Sequence, residues 1–316
     1  MKHELARRGL LALPAAAILP TALLPGTAAA AENFVQMRTK FARLKLGANL
    51  ERWFPVARDN RPRRLGRGWW RDFRAAGFDH ARLFLPEVGK TGSGMEIPGM
   101  FAEAVQDALA AGVPVFLGMA DFFYQKKPWE ARDWAALQAR AEFFVPRCDP
   151  ANVVLAALNE PIFDDSATWL PMRDRLLGIM RRAAPHHLLM WGGHEWCSAR
   201  SLVQCSLPAD PGTIAEAHDY QGGDAAALGA RFRAVAEWRD RNRLPVVFAE
   251  LGGAMGHETN RQAWAADLAL SLPILRELGL PATLWSYSHG GWWRLQAGDD
   301  PSPRGDVIPP GFLANR

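Results

Sequence analysis

Short continuous apolar runs alternate along the chain with longer stretches in which apolar residues return every three or four positions. The runs are too continuous for half-exposed strands and read as strands buried on both faces. They predict strands near Leu44–Asn49, His80–Leu85, Pro114–Met119, Val153–Leu158, His187–Trp191, Thr213–His218, Val246–Glu250 and Ala282–Ser286. Between them, helical periodicity covers Trp69–Ala76, closed by Gly77, Met100–Ala111, closed by Gly112, and Trp129–Phe144, stopped by Pro146. It returns in Ala167–Ala184, where Ser166 offers a cap, in Ala225–Arg241, opened by Asp224, and in Arg261–Leu278, closed by Gly279. The link after the fifth run is poorly helical, and the tail beyond Trp293 is rich in Pro and Gly. Eight such units predict an α/β fold, a (β/α)8 TIM barrel. An open doubly wound sheet is the alternative, but no Gly-rich phosphate turn follows the first strand.

The N-terminus breaks this rhythm. Lys2, Arg7 and Arg8 precede an apolar stretch from Gly9 to Leu24, and small residues from Thr27 to Ala31 follow it. That order predicts a secretory signal over residues 1–31, with 32–316 as a single catalytic domain, exported to the periplasm or beyond the cell. The Sec and twin-arginine routes both remain open. Pro14, Pro20 and Pro25 argue against a permanent membrane helix, and no later stretch reaches about 18 apolar residues.

The chain of 316 residues is 49% hydrophobic and 22% charged, ordinary globular usage that excludes wholesale disorder or a coiled coil. Its formal charge is +4, of which Lys2, Arg7 and Arg8 against Glu4 supply +2, too little for a general nucleic-acid binder. Arg58, Arg61, Arg63, Arg64, Arg67 and Arg71 crowd around Trp69 and Trp70, and read first as a solvated loop entering the first outer helix. An anionic surface or acidic polysaccharide is the alternative partner for that cluster, and a nucleic acid a more remote one. Of Cys148, Cys197 and Cys205, only Cys197 and Cys205 are near enough in sequence to suggest a local disulfide, and three free thiols fit equally.

In a barrel of this kind the reactive groups gather at the C-terminal ends of the strands. Those ends carry Asn49, Arg82, Asn159-Glu160-Pro161, His218-Asp219-Tyr220, Glu250 and Trp285. Two glutamates that each end an apolar run are the central observation, because a carboxylate there is costly to desolvate without a use. An ion pair, Glu160 with Arg82 for instance, is the structural alternative from position alone. The neighbours shift the balance: Asn159 offers an amide to a hydroxyl, Tyr220 a phenol that can orient a carboxylate, and Trp285 an apolar face for a sugar ring. Two carboxylates with hydroxyl-binding groups and an aromatic floor are what glycoside hydrolysis needs.

These segments resemble glycoside hydrolase family 5, the cellulase-like branch of the retaining (β/α)8 hydrolases. The likeness is carried by Leu46-Gly47-Ala48-Asn49-Leu50, His80-Ala81-Arg82, Leu158-Asn159-Glu160-Pro161, His218-Asp219-Tyr220, Ala249-Glu250-Leu251-Gly252 and Leu284-Trp285-Ser286. Six short motifs in order span almost the whole of 32–316. The resemblance implies that Glu160 is the acid/base and Glu250 the nucleophile, with Arg82 holding Glu250 ionised. It further implies that Asn49, Arg82, Asn159, His218, Tyr220 and Trp285 form the substrate site, Asn159 on the 2-hydroxyl and Trp285 as floor. The two carboxyl groups are then expected about 5–5.5 Å apart. The third strand departs from the family pattern: Phe116-Leu117-Gly118-Met119-Ala120-Asp121 lacks its histidine, and Asp121 or His289 is the candidate to fill that space.

The implied function is a retaining β-glycosidase on a poly- or oligosaccharide, with an endo-β-1,4-glucanase as the best single reading. Mannan, β-1,3-glucan and simple glycosides stay open, as does a non-catalytic carbohydrate-binding barrel. No cofactor or metal is expected, nor a nucleic-acid partner, and the protein reads as a monomer. Gly89-Lys90-Thr91 lacks the earlier glycine of a phosphate loop, and His257-Glu258 lacks the second histidine of a zinc protease. No GxSxG serine elbow occurs either. Among 13 tryptophans, Trp53, Trp196, Trp292 and Trp293 fall in loops at the expected mouth and are candidate sugar platforms. His194-Glu195-Trp196 is a further candidate for lining the cleft. Trp134, Trp169, Trp238 and Trp264 fall in helices and read as packing residues.

Overall fold

Each predicted strand is one: β1 (Leu46–Leu50), β2 (His80–Phe84), β3 (Val115–Gly118), β4 (Val153–Ala156), β5 (Leu188–Trp191), β6 (Thr213–Asp219), β7 (Val246–Leu251) and β8 (Ala282–Leu284). All pair in parallel with their sequence neighbours, and β1 pairs with β8 to close the barrel. This computed structural model describes residues 26–50, 65–85, 98–119, 131–287, 292–297, 300 and 302–313. Trp53, Asp121, His289, Gly89-Lys90-Thr91 and Arg58 to Arg64 lie outside them, as does most of the expected signal.

Around the barrel run α2 (Arg67–Ala75), α3 (Pro98–Ala110), α4 (Ala131–Phe144), α5 (Ser166–Ala183), the single turn α6 (Ala199–Leu202), α7 (Ala225–Asn242) and α8 (Arg261–Glu277). Every residue of β1, β3, β4, β5, β6, β7 and β8 is buried, which is why these runs show no polar alternation. Trp134, Trp169, Trp238 and Trp264 all pack into the outer core between helices and sheet, as their helical setting predicts. Asp224 caps α7 by accepting from the Ala227 N–H at 2.8 Å. The cap of α5 is Asp165, not Ser166: the Asp165 carboxylate accepts from Thr168 N–H at 2.8 Å, and Ser166 is the first helical residue.

The apolar pattern did not announce α1 (Gly26–Phe41), which overlaps the end of the expected signal. Phe34, Met37 and Phe41 pack on the interior residues Phe116, Val154, Leu188, Ile214 and Val247, closing the N-terminal end of the barrel. Arg38 Nε donates to the Thr213 carbonyl at 3.0 Å and Lys40 Nζ to that of Ala151 at 2.7 Å, pinning the plug.

Two local devices prepare the opposite end. At Gly47, a Cβ would lie 2.4 Å from the His80 ring and carbonyl, so only glycine lets β1 pass this close to β2. On β7, Val247 and Ala249 face inward while Phe248 and Leu251 join the outer core. Against β8, Phe248 aligns with Ala282 and Leu251 with Leu284, so β7 carries one extra residue. The same irregularity sets His218 opposite Glu250. A bulge re-aims a side chain, and here it turns Glu250 inward directly after inward-facing Ala249.

The three cysteines are free thiols, all buried. The local disulfide between Cys197 and Cys205 is therefore not formed.

Candidate active site

The strand ends bring Asn49, Arg82, Asn159, Glu160, His218, Tyr220 and Glu250 into one cluster. Its centre is the Arg82 guanidinium, wholly buried on β2. Arg82 Nη1 donates to Glu250 Oε1 at 2.5 Å and to Asn49 Oδ1 at 3.2 Å, while Nη2 donates to Asn159 Oδ1 at 2.8 Å and Glu216 Oε2 at 3.3 Å. The Phe84 ring covers it, 4.5 Å from ring centre to guanidinium carbon. Asn49 in turn donates to the Ala249 carbonyl at 2.8 Å.

Asn49 and Arg82 are thus corrected from substrate contacts to supports: both are fully buried, and neither offers surface to a sugar. Glu160 and Glu250 sit above them. Glu160 follows β4 with φ at 45°, a left-handed conformation unusual for a glutamate and of the kind found at functional sites. Its side chain is 20% exposed against 3% for Glu250. One oxygen of each lies within 4.8 Å of the other, far inside the spacing that leaves room for a water between two carboxylates.

Each glutamate has its own partners. Glu250 Oε2 accepts from the Tyr220 hydroxyl at 2.5 Å. His218 Nδ1 meets Glu160 Oε1 at 3.0 Å and lies 3.6 Å from Glu250 Oε2. Burial pushes the Glu250 pKa up and Glu160 adds to that, while His218, Arg82 and Tyr220 pull it down; the net direction is up. Arg82 acts as expected on Glu250 but does not overcome burial. For His218, burial alone would favour the neutral ring, but Glu250, Glu160 and Glu216 raise its pKa to about 9. The ring is therefore an imidazolium at neutral pH.

Glu216 escaped the sequence reading. It is fully buried on β6, and burial, which opposes its ionisation, is outweighed by Arg82 and His218, so its pKa is lowered. Its signal was a lone charge inside an apolar strand, two residues before His218 and therefore on the same face.

Cys197, Glu216 and His218 bring ligand-type atoms within 4.8 Å of one another, as do Glu160, His218 and Glu250. Cation binding suits neither trio. Glu216 and Glu250 already neutralise Arg82, His218 is itself cationic, and burial, followed by Glu216, pushes the Cys197 thiol well above its ordinary pKa.

Trp285 is half-buried beside the cluster, its ring edge-on to Phe84 at 5.9 Å. Trp196 and Trp292 are each 50% exposed, as platforms must be. Trp293 is corrected from that group: it is buried against Tyr220, ring centres 5.1 Å apart. His194 is buried, and Glu195 pairs with Arg200 at 2.6 Å, so of that triplet only Trp196 faces outward freely. Asp219 is held by Arg231 on α7, away from the carboxylates.

Comparison with known proteins adds three findings. Residues 100–291 match the sequence profile described as Cellulase (glycosyl hydrolase family 5). A curated relative, Endoglucanase H of Acetivibrio thermocellus, is 28% identical over 153 residues, 42% of this chain and 16% of the relative, so the chain matches only a small part of that protein. Among solved structures, cellulose synthase subunit Z of Clostridioides difficile superposes with a TM-score of 0.70 at 16% identity, over 86% of this chain and 99% of that one. Thermotoga maritima Cel5A in complex with mannotriose gives 0.68 at 16% identity, over 87% and 98%. These structural likenesses speak for the barrel alone.

Proposed function

As the chain belongs to glycosyl hydrolase family 5, we propose that it is a retaining glycosidase that cleaves β-1,4-glucan within the chain, with Glu250 as nucleophile and Glu160 as acid/base. The carrying observation is the close approach of the two carboxyls, each with different partners. An oxygen pair under 5 Å apart fits the roughly 5–5.5 Å spacing of a nucleophile and acid/base pair and not the roughly 6.5–9.5 Å of a pair that activates a water. Arg82 and Tyr220 aim hydrogen-bond donors at the two Glu250 oxygens, which holds the carboxylate in place for attack.

In the first step a Glu250 oxygen forms a bond to the anomeric carbon while the glycosidic C–O bond breaks. Glu160 gives its proton to the departing oxygen. In the second, Glu160, now a carboxylate, takes a proton from water, whose oxygen displaces Glu250 from the sugar. Arg82, His218 and Tyr220 face the charge that moves between the two carboxyls. Asn159, anchored by Arg82, is the amide beside the reacting carbon, and Trp285, Trp196 and Trp292 offer apolar faces to sugar rings. Glucan is favoured by the family profile and by the endoglucanase relative. We further propose export through the segment 1–31, action as a monomer, and no need of a cofactor.

The test is turnover of soluble β-1,4-glucan, mannan and β-1,3-glucan by the native protein, Glu160→Gln and Glu250→Gln. The native protein is expected to cleave the β-1,4-glucan with retained anomeric configuration in the first product seen by NMR. Glu250→Gln should abolish turnover and Glu160→Gln reduce it by about 10²–10⁴-fold. Inverted product would reject the mechanism. Cleavage of mannan alone would move the substrate, and no cleavage of any polymer would favour a binding barrel.

A further inference from the structure

Two glycines, Gly252 and Gly253, follow close behind Glu250, and neither has a left-handed φ. What they supply is space. A Cβ at Gly252 would strike the Tyr220 ring, 2.6 Å from Cε1 and closer still to Cδ1, and would lie 3.4 Å from Trp293 Cδ2. A Cβ at Gly253 would lie 2.6 Å from Trp293 Nε1. The bare backbone just beyond the nucleophile is thus the floor for two aromatic rings, which meet each other at 5.1 Å between centres with a 40° tilt. We propose that Trp293 is a positioning residue for the reaction: buried away from any sugar, it holds the Tyr220 ring against Gly252 so that the phenol stays aimed at Glu250. The proposal rests on the retaining reading and names a residue that keeps its nucleophile aligned.

Tyr220 stands just past the end of β6, where strand pairing no longer fixes the side chain. Its hydroxyl donates to Glu250 Oε2 at 2.5 Å, and its backbone carbonyl accepts from the Met255 N–H at 3.3 Å. The hydroxyl can stay on Glu250 only while the ring axis keeps its direction, and that direction is set by side-chain torsions among which packing must choose. A tilted aromatic partner at this distance is a favoured contact and selects one of them. Trp293 is itself held at both backbone polar groups. Its N–H donates to the Glu258 carbonyl at 2.6 Å, and its carbonyl accepts from the Ser286 N–H at 2.8 Å. The Leu295 N–H adds a bond to the Ser286 carbonyl at 2.9 Å, so this loop is sewn both to the segment after β7 and to the turn after β8. The Trp293 φ of 42° is left-handed, a costly conformation for a tryptophan that the surrounding structure maintains. With Gly252 fixed on β7's end and Trp293 fixed by its loop, any displacement of the indole passes directly to the phenol. A misplacement of about 1 Å in such a support can cost on the order of 10²-fold in rate.

The test is a double-mutant cycle between Trp293→Leu and Tyr220→Phe, with Trp293→Phe as the conservative variant, read as kcat and KM on an oligosaccharide of the polymer that the enzyme cleaves. Trp293→Leu should lower kcat by roughly 10- to 100-fold and leave KM within about twofold of native, because the indole does not touch the sugar. Trp293→Phe, which keeps a ring against Tyr220, should recover most of the loss. In the Tyr220→Phe background there is no hydroxyl to aim, and Trp293→Leu should cost less than about threefold. Equal losses in the two backgrounds would make Trp293 a general packing residue, and a raised KM at unchanged kcat would make it a sugar contact; either result overturns the proposal. NMR of the native protein with ring-labelled tyrosine needs neither a folded variant nor turnover, and the chain has only 3 tyrosines to assign. The two edges of Tyr220 should give separate signals, since a ring wedged between Gly252 and Trp293 turns over slowly. A single averaged set would overturn the inference. Separate edges without native turnover would reject the retaining reading and leave the clamp on Tyr220 standing.

Discussion

His218 meets all three carboxyls of the site, and that makes it the residue through which pH reaches the fold. Its pKa is about 9 in the folded protein, against roughly 6.5 for an unperturbed histidine. A group raised on folding adds stability in full below the unfolded value and loses it as pH climbs through the folded one. Urea unfolding of the native protein should therefore weaken between about pH 6.5 and pH 9 relative to His218→Gln; parallel curves for the two would show that the ring is neutral throughout. The residues of the site were legible in proportion to how abruptly they interrupt apolar sequence. Glu160 and Glu250 end such runs and stand out. Glu216 interrupts one from within, where an apolar strand on either side of it disguised a site residue. For Asn49 and Arg82 the chemistry was readable and the depth was not, since depth depends on the groups that meet them from other strands: the Ala249 carbonyl against Asn49, and Asn159, Glu216 and Glu250 against Arg82.

At the level of the element, period and punctuation carried most of the fold. Buried runs marked the strands, and Gly77, Gly112 and Gly279 marked the helix ends. The exchange of Asp165 for Ser166 as the cap of α5 shows the resolution of such reading: two adjacent capping residues compete, and local dihedrals choose. The bulge on β7 left no trace, because neither glycine nor proline marks it; pairing with β6 and β8 imposes it. Gly47 is different, a glycine whose need is visible only once β2 is beside it. Gly47→Ala should destabilise the protein by about 1–3 kcal/mol, since the His80 carbonyl is backbone and cannot give way as a side-chain tip would. Chemical denaturation reads this directly, and a loss of under about 0.5 kcal/mol would mean that β1 and β2 part easily.

The barrel has two unlike ends, one sealed by α1 and one carrying the carboxylates. Among the described residues no helix is long and apolar enough to cross a membrane. Phe41, wholly buried in the seal, should cost about 3–5 kcal/mol when changed to alanine. The melting temperature of Phe41→Ala measures it, and a shift within error would mean that the seal is dispensable. A chain that begins at residue 32 would lose the first six residues of α1 but keep Phe34, Met37 and Phe41, the side chains that pack into the barrel. At the carboxylate end the chemistry hangs on parity. A strand assigns its side chains inside and outside by odd and even, and β7 changes that assignment once, between Phe248 and Leu251. Straighten the strand there without removing a residue and strict alternation returns: Glu250 faces the helices, and the chain keeps every other side chain of its active site while having no nucleophile. What the protein does is written partly in which residues it has, and partly in whether a count along one strand comes out even.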